Sequence, residues 1–143
     1  MDTQSNAALI SAFIDNIWNK QHFHLLHQYL HPSFTDHSLP PGMPTNGHGL
    51  QQWIEATGRS FDHKTAITEL IIEDARAVAL IEMHLTHTGQ WRGLEASGTD
   101  VVTTGYRYFK LQDGRIIEHR ALIDGQTIEN QIKSVAHGCK AHR

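Results

Sequence analysis

The feature that most constrains this chain is a change of hydrophobic period near Phe61. Before it, apolar residues recur every three or four positions. After it, they recur every second position. Ile10, Phe13, Ile14, Ile17 and Trp18 form one stripe and predict a helix over about residues 5–20. Leu25, Leu26, Tyr29 and Leu30 predict a shorter helix. His31-Pro32 ends it, because proline pushes its predecessor out of helical geometry. A loop over residues 33–46, with Pro40, Pro41 and Pro44, leads to a third helix carrying Leu50, Trp53, Ile54 and Thr57 and ending near Gly58. Strands are predicted over residues 64–73, 77–88, 98–111 and 115–123. Glu73-Asp74 marks one turn. Asp113-Gly114 marks another, since both residue types tolerate positive φ. Ile128, Ile132 and Val135 predict a closing helix, with a frayed tail from His137.

Helices followed by tightly connected strands predict an α+β domain with an antiparallel meander, not alternating α/β. The 143 residues make one domain. Residues 79, 81, 83, 85 and 87 share one strand face and are apolar up to His87. The other parity holds Val78 and Leu80 as well as Glu82, His84 and Thr86. A sheet apolar on both faces must be covered on both. The helices cover one, and a second copy of the chain is the expected cover for the other.

The 12 Lys and Arg against 15 Asp and Glu give no electrostatic reason to expect nucleic acid. The single cysteine, Cys139, excludes an intrachain disulfide. No apolar run approaches the length of a membrane span, and the first residues lack the pattern of a secretory signal, so a cytoplasmic location is expected.

Chemistry is sought where polar residues interrupt apolar surroundings: Asp36-His37 after Phe34, His87, His119 and Asp124. A carboxyl group facing an apolar cavity has its pKa raised and can serve as base or acid near neutral pH. Asp124 fits that description, and equally fits a turn or the cap of the last helix. His87 ends an inward apolar parity, where histidine is commonly structural. His84 has the opposite parity, so the two cannot share an ion. Asp36 and His37 fit an Asx turn beside a solvated histidine. Of the 12 histidines, His22, His24, His27 and His31 cluster in sequence, and His27 and His31 are spaced for one helical face. No Cys-x-x-Cys or His-Glu-x-x-His accompanies them, and no metal or other cofactor is expected. His137, Cys139 and His142 are weaker candidates. A nucleophile elbow, a phosphate loop and a dinucleotide fingerprint are absent from the sequence.

Three segments carry a resemblance. Phe34-Thr35-Asp36-His37-Ser38 precedes Pro40-Pro41-Gly42. His84-Leu85-Thr86-His87-Thr88-Gly89-Gln90-Trp91-Arg92-Gly93 runs along a central strand and past its end. Asp113-Gly114-Arg115-Ile116-Ile117-Glu118-His119 leads to Asp124 and then Gln131. In order and spacing these resemble the SnoaL-like polyketide cyclase (ester cyclase) family of the nuclear transport factor 2-like superfamily, over about residues 5–133. The resemblance implies a cone-shaped fold with helices inside a strongly bent sheet, commonly a dimer, and acid/base catalysis without a cofactor. It implies Asp124 as the catalytic aspartate, with His37 and His87 at pocket positions that bind or polarise the substrate. Asp36, His119, Tyr106 and Trp53 are the candidate substrate-binding residues. Glu95-Ala96-Ser97-Gly98, Arg120 and Gln131-Ile132-Lys133 depart from the family pattern and suggest a more polar pocket.

Two classes of function are open to such a chain. One is an enzyme that removes a proton beside a carbonyl and closes a ring or isomerises. The other is a non-catalytic protein that binds a small apolar ligand in the same pocket. An epoxide-hydrolase-like reaction needs an arg-x-asp stretch, and Tyr106-Arg107-Tyr108 does not lead into one.

Overall fold

The structure, a computed structural model, describes residues 3–141 and the side chains of residues 3–135. Helix α1 (Thr3–Phe13) continues into a π-helical turn (Ile14–Asn19). Together they bury Ile10, Phe13, Ile14, Ile17 and Trp18, the stripe read from the sequence. A 3₁₀ turn (Phe23–Leu25) and one turn of helix, α2 (Leu26–Tyr29), lead into strand β1 (Leu30–Asp36). Helix α3 (Gly47–Ser60) comes next, its first turn capped by Asn46, whose side chain accepts from the Gly49 N–H at 3.2 Å. Four strands then run in succession: β2 (Phe61–Glu73), β3 (Arg76–His87), β4 (Asp100–Gln112) and β5 (Arg115–Ile123). Helix α4 (Gly125–Ala141) closes the chain. The tail expected to fray from His137 is instead helical, with α4 continuing through residues 137–141.

The sheet has five strands in the order β1-β5-β4-β3-β2. The fifth is β1, over residues expected to end a helix and begin a loop. It pairs in parallel with β5, Asp36 opposite His119. Pro32 lies within it and is tolerated because β1 is an edge strand. His31 therefore lies on a strand and shares no helical face with His27. Extra residues at Thr68 of β2 and Ile117 of β5 mark local irregularities of the kind that bend strands, and the sheet is curved and open, not a closed barrel. At Gly105, β4 and β5 approach closely: a Cβ there would lie 2.6 Å from Cδ1 of Ile123 on β5.

The concave face holds the core. Ala77, Ala79, Ile81, Met83 and Leu85 of β3 are all buried, as period two predicts. Phe109 of β4 meets Phe13 edge to face at 6.0 Å. Burying a side chain of this size contributes about 1.5–3 kcal/mol, so the first helix is held by packing more than by its own propensity.

Candidate active site

A cavity of about 480 Å³ opens between α3, α4 and the concave face of the sheet. Its inner lining includes Trp18, Phe61, Met83, Leu85, Ile128 and Arg107, all buried. At the mouth stand Trp53 from α3 and the turn Trp91–Leu94, whose ends exchange two backbone hydrogen bonds of 2.9 and 2.8 Å. Arg92 in that turn has positive φ, lies over the Trp91 ring at 4.5 Å and pairs with Glu129 of α4 at 3.5 Å. Among the described residues that line the cavity, the only charged side chains are Arg92 and Arg107; none is acidic. A larger groove of about 630 Å³ runs past Asp15, Lys20, Asp62 and Lys64. It is more open and carries charges of both signs, so it would shield an organic ligand poorly.

Arg107 is the unusual group. It occupies the inward parity of β4, between Gly105 and Phe109, and is 2% exposed. Its guanidinium stacks over Trp18 at 4.1 Å. One Nη lies 3.4 Å from Nε2 of His119, and its Nε is buried without a partner. Burial pushes its pKa down to about 10, against the Asp36 charge that supports it, so it remains a cation at neutral pH.

Behind Arg107 lies a buried pair. His119 Nδ1 and Asp36 Oδ2 are 2.8 Å apart, and both residues are buried. The other oxygen of Asp36 accepts from the Ser38 N–H at 2.9 Å and the Ser38 hydroxyl at 2.7 Å, an Asx turn. Burial pushes the Asp36 pKa up, and the His119 and Ser38 contacts together outweigh it, leaving the pKa below the usual value. Burial pushes His119 down, and Arg107 adds to that against the pull of Asp36. The partners thus assign a neutral His119 with its proton on Nδ1 and its Nε2 lone pair toward Arg107. A carboxylate holds a neutral imidazole, and the imidazole meets a guanidinium.

The remaining sequence candidates fall elsewhere. Asp124 is exposed, and its carboxylate accepts from the Thr127 N–H at 3.0 Å and the Thr127 hydroxyl at 2.7 Å. This is the N-cap of α4. The Thr127 bonds, side chain first, hold the Asp124 pKa below its usual value against a smaller opposing effect of burial. The expectation of a raised pKa in an apolar cavity is therefore corrected. Its neighbours Ile123 and Gly125 do line the cavity.

His87 is fully buried, bonds Ser97 at 2.8 Å and packs its ring 5.5 Å from Phe61. It does not line the cavity. His37 lies with Glu118 at 2.9 Å, and Glu118 also meets Lys110 at 3.4 Å, again away from the cavity. Tyr106 is 55% exposed on the outer sheet face opposite Leu122, so it does not face the pocket. The expected trio of Asp124, His37 and His87 is not brought together. Trp53 does line the cavity, while Asp36 and His119 reach it through Arg107. Arg107 itself was missed. The available signal was a cation in the parity of Val101, Thr103, Gly105, Phe109 and Leu111. No aspartate stands two positions beyond Arg107, where Phe109 is found.

The model of the SnoaL-like polyketide cyclase family matches residues 8–132. The chain belongs to that family. Solved structures agree on the fold. TsrD from Streptomyces laurentii superposes with a TM-score of 0.80 at 22% identity, covering 92% of this chain and 96% of that one. IdmH from Streptomyces antibioticus gives 0.80 at 20% identity, covering 89% and 97%. A SnoaL-like polyketide cyclase from Agrobacterium tumefaciens gives 0.75 at 19% identity, covering 92% and 99%. A comparison with curated proteins found no match. Membership in this family suggests activity of cyclase or isomerase type.

Proposed function

We propose that this SnoaL-like chain takes a small organic carbonyl compound into the cavity and acts on it by acid/base chemistry, as a cyclase or isomerase. The observation that carries the reading is Arg107, a buried cation whose Nε has no partner among the described residues, in the wall of a cavity lined mostly by apolar groups. A carbonyl oxygen placed there is polarised, and the C–H beside it becomes more acidic. The role of oxyanion stabiliser, expected of His37 and His87, passes to Arg107.

The base in this reading is Asp124. Its support is its place between two residues that line the cavity and its ionised state. To act it must release Thr127. It would take the proton from carbon while the electron pair moves onto the oxygen held by Arg107. The enolate carbon then attacks a second carbonyl, and the new alkoxide regains the proton from Asp124. Alternatively, the proton returns at another carbon and gives an isomer.

The capped carboxylate favours a second reading, a ligand-binding protein without turnover. Proton exchange on a β-ketoester such as ethyl benzoylacetate in D₂O, followed by NMR, separates the two. Asparagine caps a helix as well as aspartate does. Asp124→Asn is therefore expected to keep the fold and to slow exchange by roughly 10²–10⁴-fold, the usual contribution of a general base. Equal exchange rates in the two proteins would remove Asp124 from the mechanism.

We further propose a homodimer through the outer sheet face, where Tyr106 and Leu122 are exposed in the single chain.

A further inference from the structure

Arg107 is provided with more hydrogen-bonding capacity than the protein uses. A guanidinium has five N–H donors in a planar fork. Here one of them meets His119 at the long distance of 3.4 Å, and Nε has no partner among the described residues. Its counter-charge, Asp36, is held one imidazole away and is already engaged by Ser38 and His119. Burying a cation with idle donors is costly, and a neutral carbonyl oxygen offers it only partial relief. A group with a negative charge shared by two oxygens offers both charge and a matching fork. The rim adds Arg92, which is paired with Glu129 at 3.5 Å, and among the described residues that line the cavity none is a carboxylate.

From this we infer that the cavity takes its ligand as an organic anion: a flat apolar body among the tryptophans, with a negatively charged oxygen pair, as in a carboxylate or a 1,3-dicarbonyl enolate, seated on Arg107. This rests on the cavity reading above and narrows the substrate class within it. Trp18, stacked on the guanidinium at 4.1 Å, fixes the plane of the fork.

The test compares 2-naphthoate with 2-naphthamide at pH 8, titrated into the intact protein by calorimetry. The two probes share shape and carbonyl and differ in charge. The carboxylate is expected to bind at least about tenfold more tightly, the scale of one charge-assisted hydrogen bond over a neutral one. Arg107→Met is expected to abolish that preference, while Arg92→Gln, which removes only the rim cation, is expected to weaken it without abolishing it. Should the methionine variant fail to fold, Arg107→Lys serves: it retains the charge, loses the fork and is expected to reduce the preference. Benzoylacetone forms the second arm. Its enolate absorbs differently from its neutral form, so binding as the anion shifts its spectrum without any turnover. A shift with benzoylacetone and no naphthoate preference would assign the clamp to enolates alone. Equal affinity for acid and amide together with an unshifted spectrum would overturn the inference and leave a pocket for neutral carbonyl compounds. Binding of none of the three probes would overturn the cavity reading as well.

Discussion

Asp124 caps α4 through Thr127, and a variant pair separates that cap from the catalytic role proposed for it. Asp124→Ala removes the cap of α4 and is expected to cost about 1 kcal/mol, whereas Asp124→Asn is expected to leave unfolding nearly unchanged. Chemical denaturation of the two variants measures the difference. The buried histidines make a second prediction at this scale. His63 has both ring nitrogens buried without a hydrogen-bond partner and faces Trp18 at 6.2 Å. Burial lowers its pKa, with Arg107 adding to that and Asp62 opposing, and His119 is lowered as well. Their unfolded values lie near 6.5. Below that pH the unfolded chain binds protons that the folded chain refuses, so stability is complete above about pH 6.5 and falls as the pH drops beneath it. Asp36, held below the ordinary aspartate value, adds a second loss at lower pH, as pH falls through its folded value. Denaturation midpoints from pH 8 to pH 4 should decline below about 6.5, and a flat series would contradict this description of His63 and His119. At this scale the sequence exposed Asp36, His87 and His119 as polar groups at apolar positions. It did not expose Arg107, because a lone arginine in a strand is usually read as a solvated one. Nor could it decide between cap and base at Asp124, since the same Asp-Gly pair serves both.

Two amide side chains define the ends of the curved sheet. Asn19, in the π-helical turn, donates to the Thr65 carbonyl at 2.9 Å and accepts from the Thr65 N–H at 2.8 Å. Gln131, in α4, does the same for Val102, at 2.8 and 3.1 Å. In both places the side chain stands in for a neighbouring strand. β2 is an edge, and the pairing of β5 with β4 begins only at Gly105. Replacing either amide by alanine is expected to cost about 1–2 kcal/mol for two partly exposed hydrogen bonds. Amide exchange should report it locally, at the Val102 N–H in Gln131→Ala and at the Thr65 N–H in Asn19→Ala. Unchanged protection would mean that neither amide holds its edge. The period-two strands β2 to β5 were legible because alternation and turn chemistry act locally. β1 was not. It is short, contains Pro32 and gains its pairing from β5, far later in the chain. The buried Asp36–His119 pair depends on that pairing, so the candidate site was unreadable wherever its geometry came from a distant strand.

On the scale of the whole molecule, the outer sheet face remains to be accounted for. Leu80, Tyr106 and Leu122 lie side by side across β3, β4 and β5. Tyr106 is 55%, Leu122 75% and Val102 42% exposed in the single chain. A second copy packed on this face would cover them. Leu122→Glu is then expected to shift a dimer to monomer in sedimentation, while a wild-type protein that sediments as a monomer at micromolar concentration would end the proposal. The concave side carries the central claim, that its cavity is built around Arg107 to hold a small carbonyl compound. The chain has 3 tryptophans, and Trp18, Trp53 and Trp91 all line that cavity. Intrinsic fluorescence is therefore a direct report on its occupancy. Titrated with ethyl benzoylacetate, the wild-type emission should change saturably, and Arg107→Lys should require more ligand for the same change. An emission that tracks only the linear attenuation of an unbound absorber, identical in both proteins, would contradict that claim.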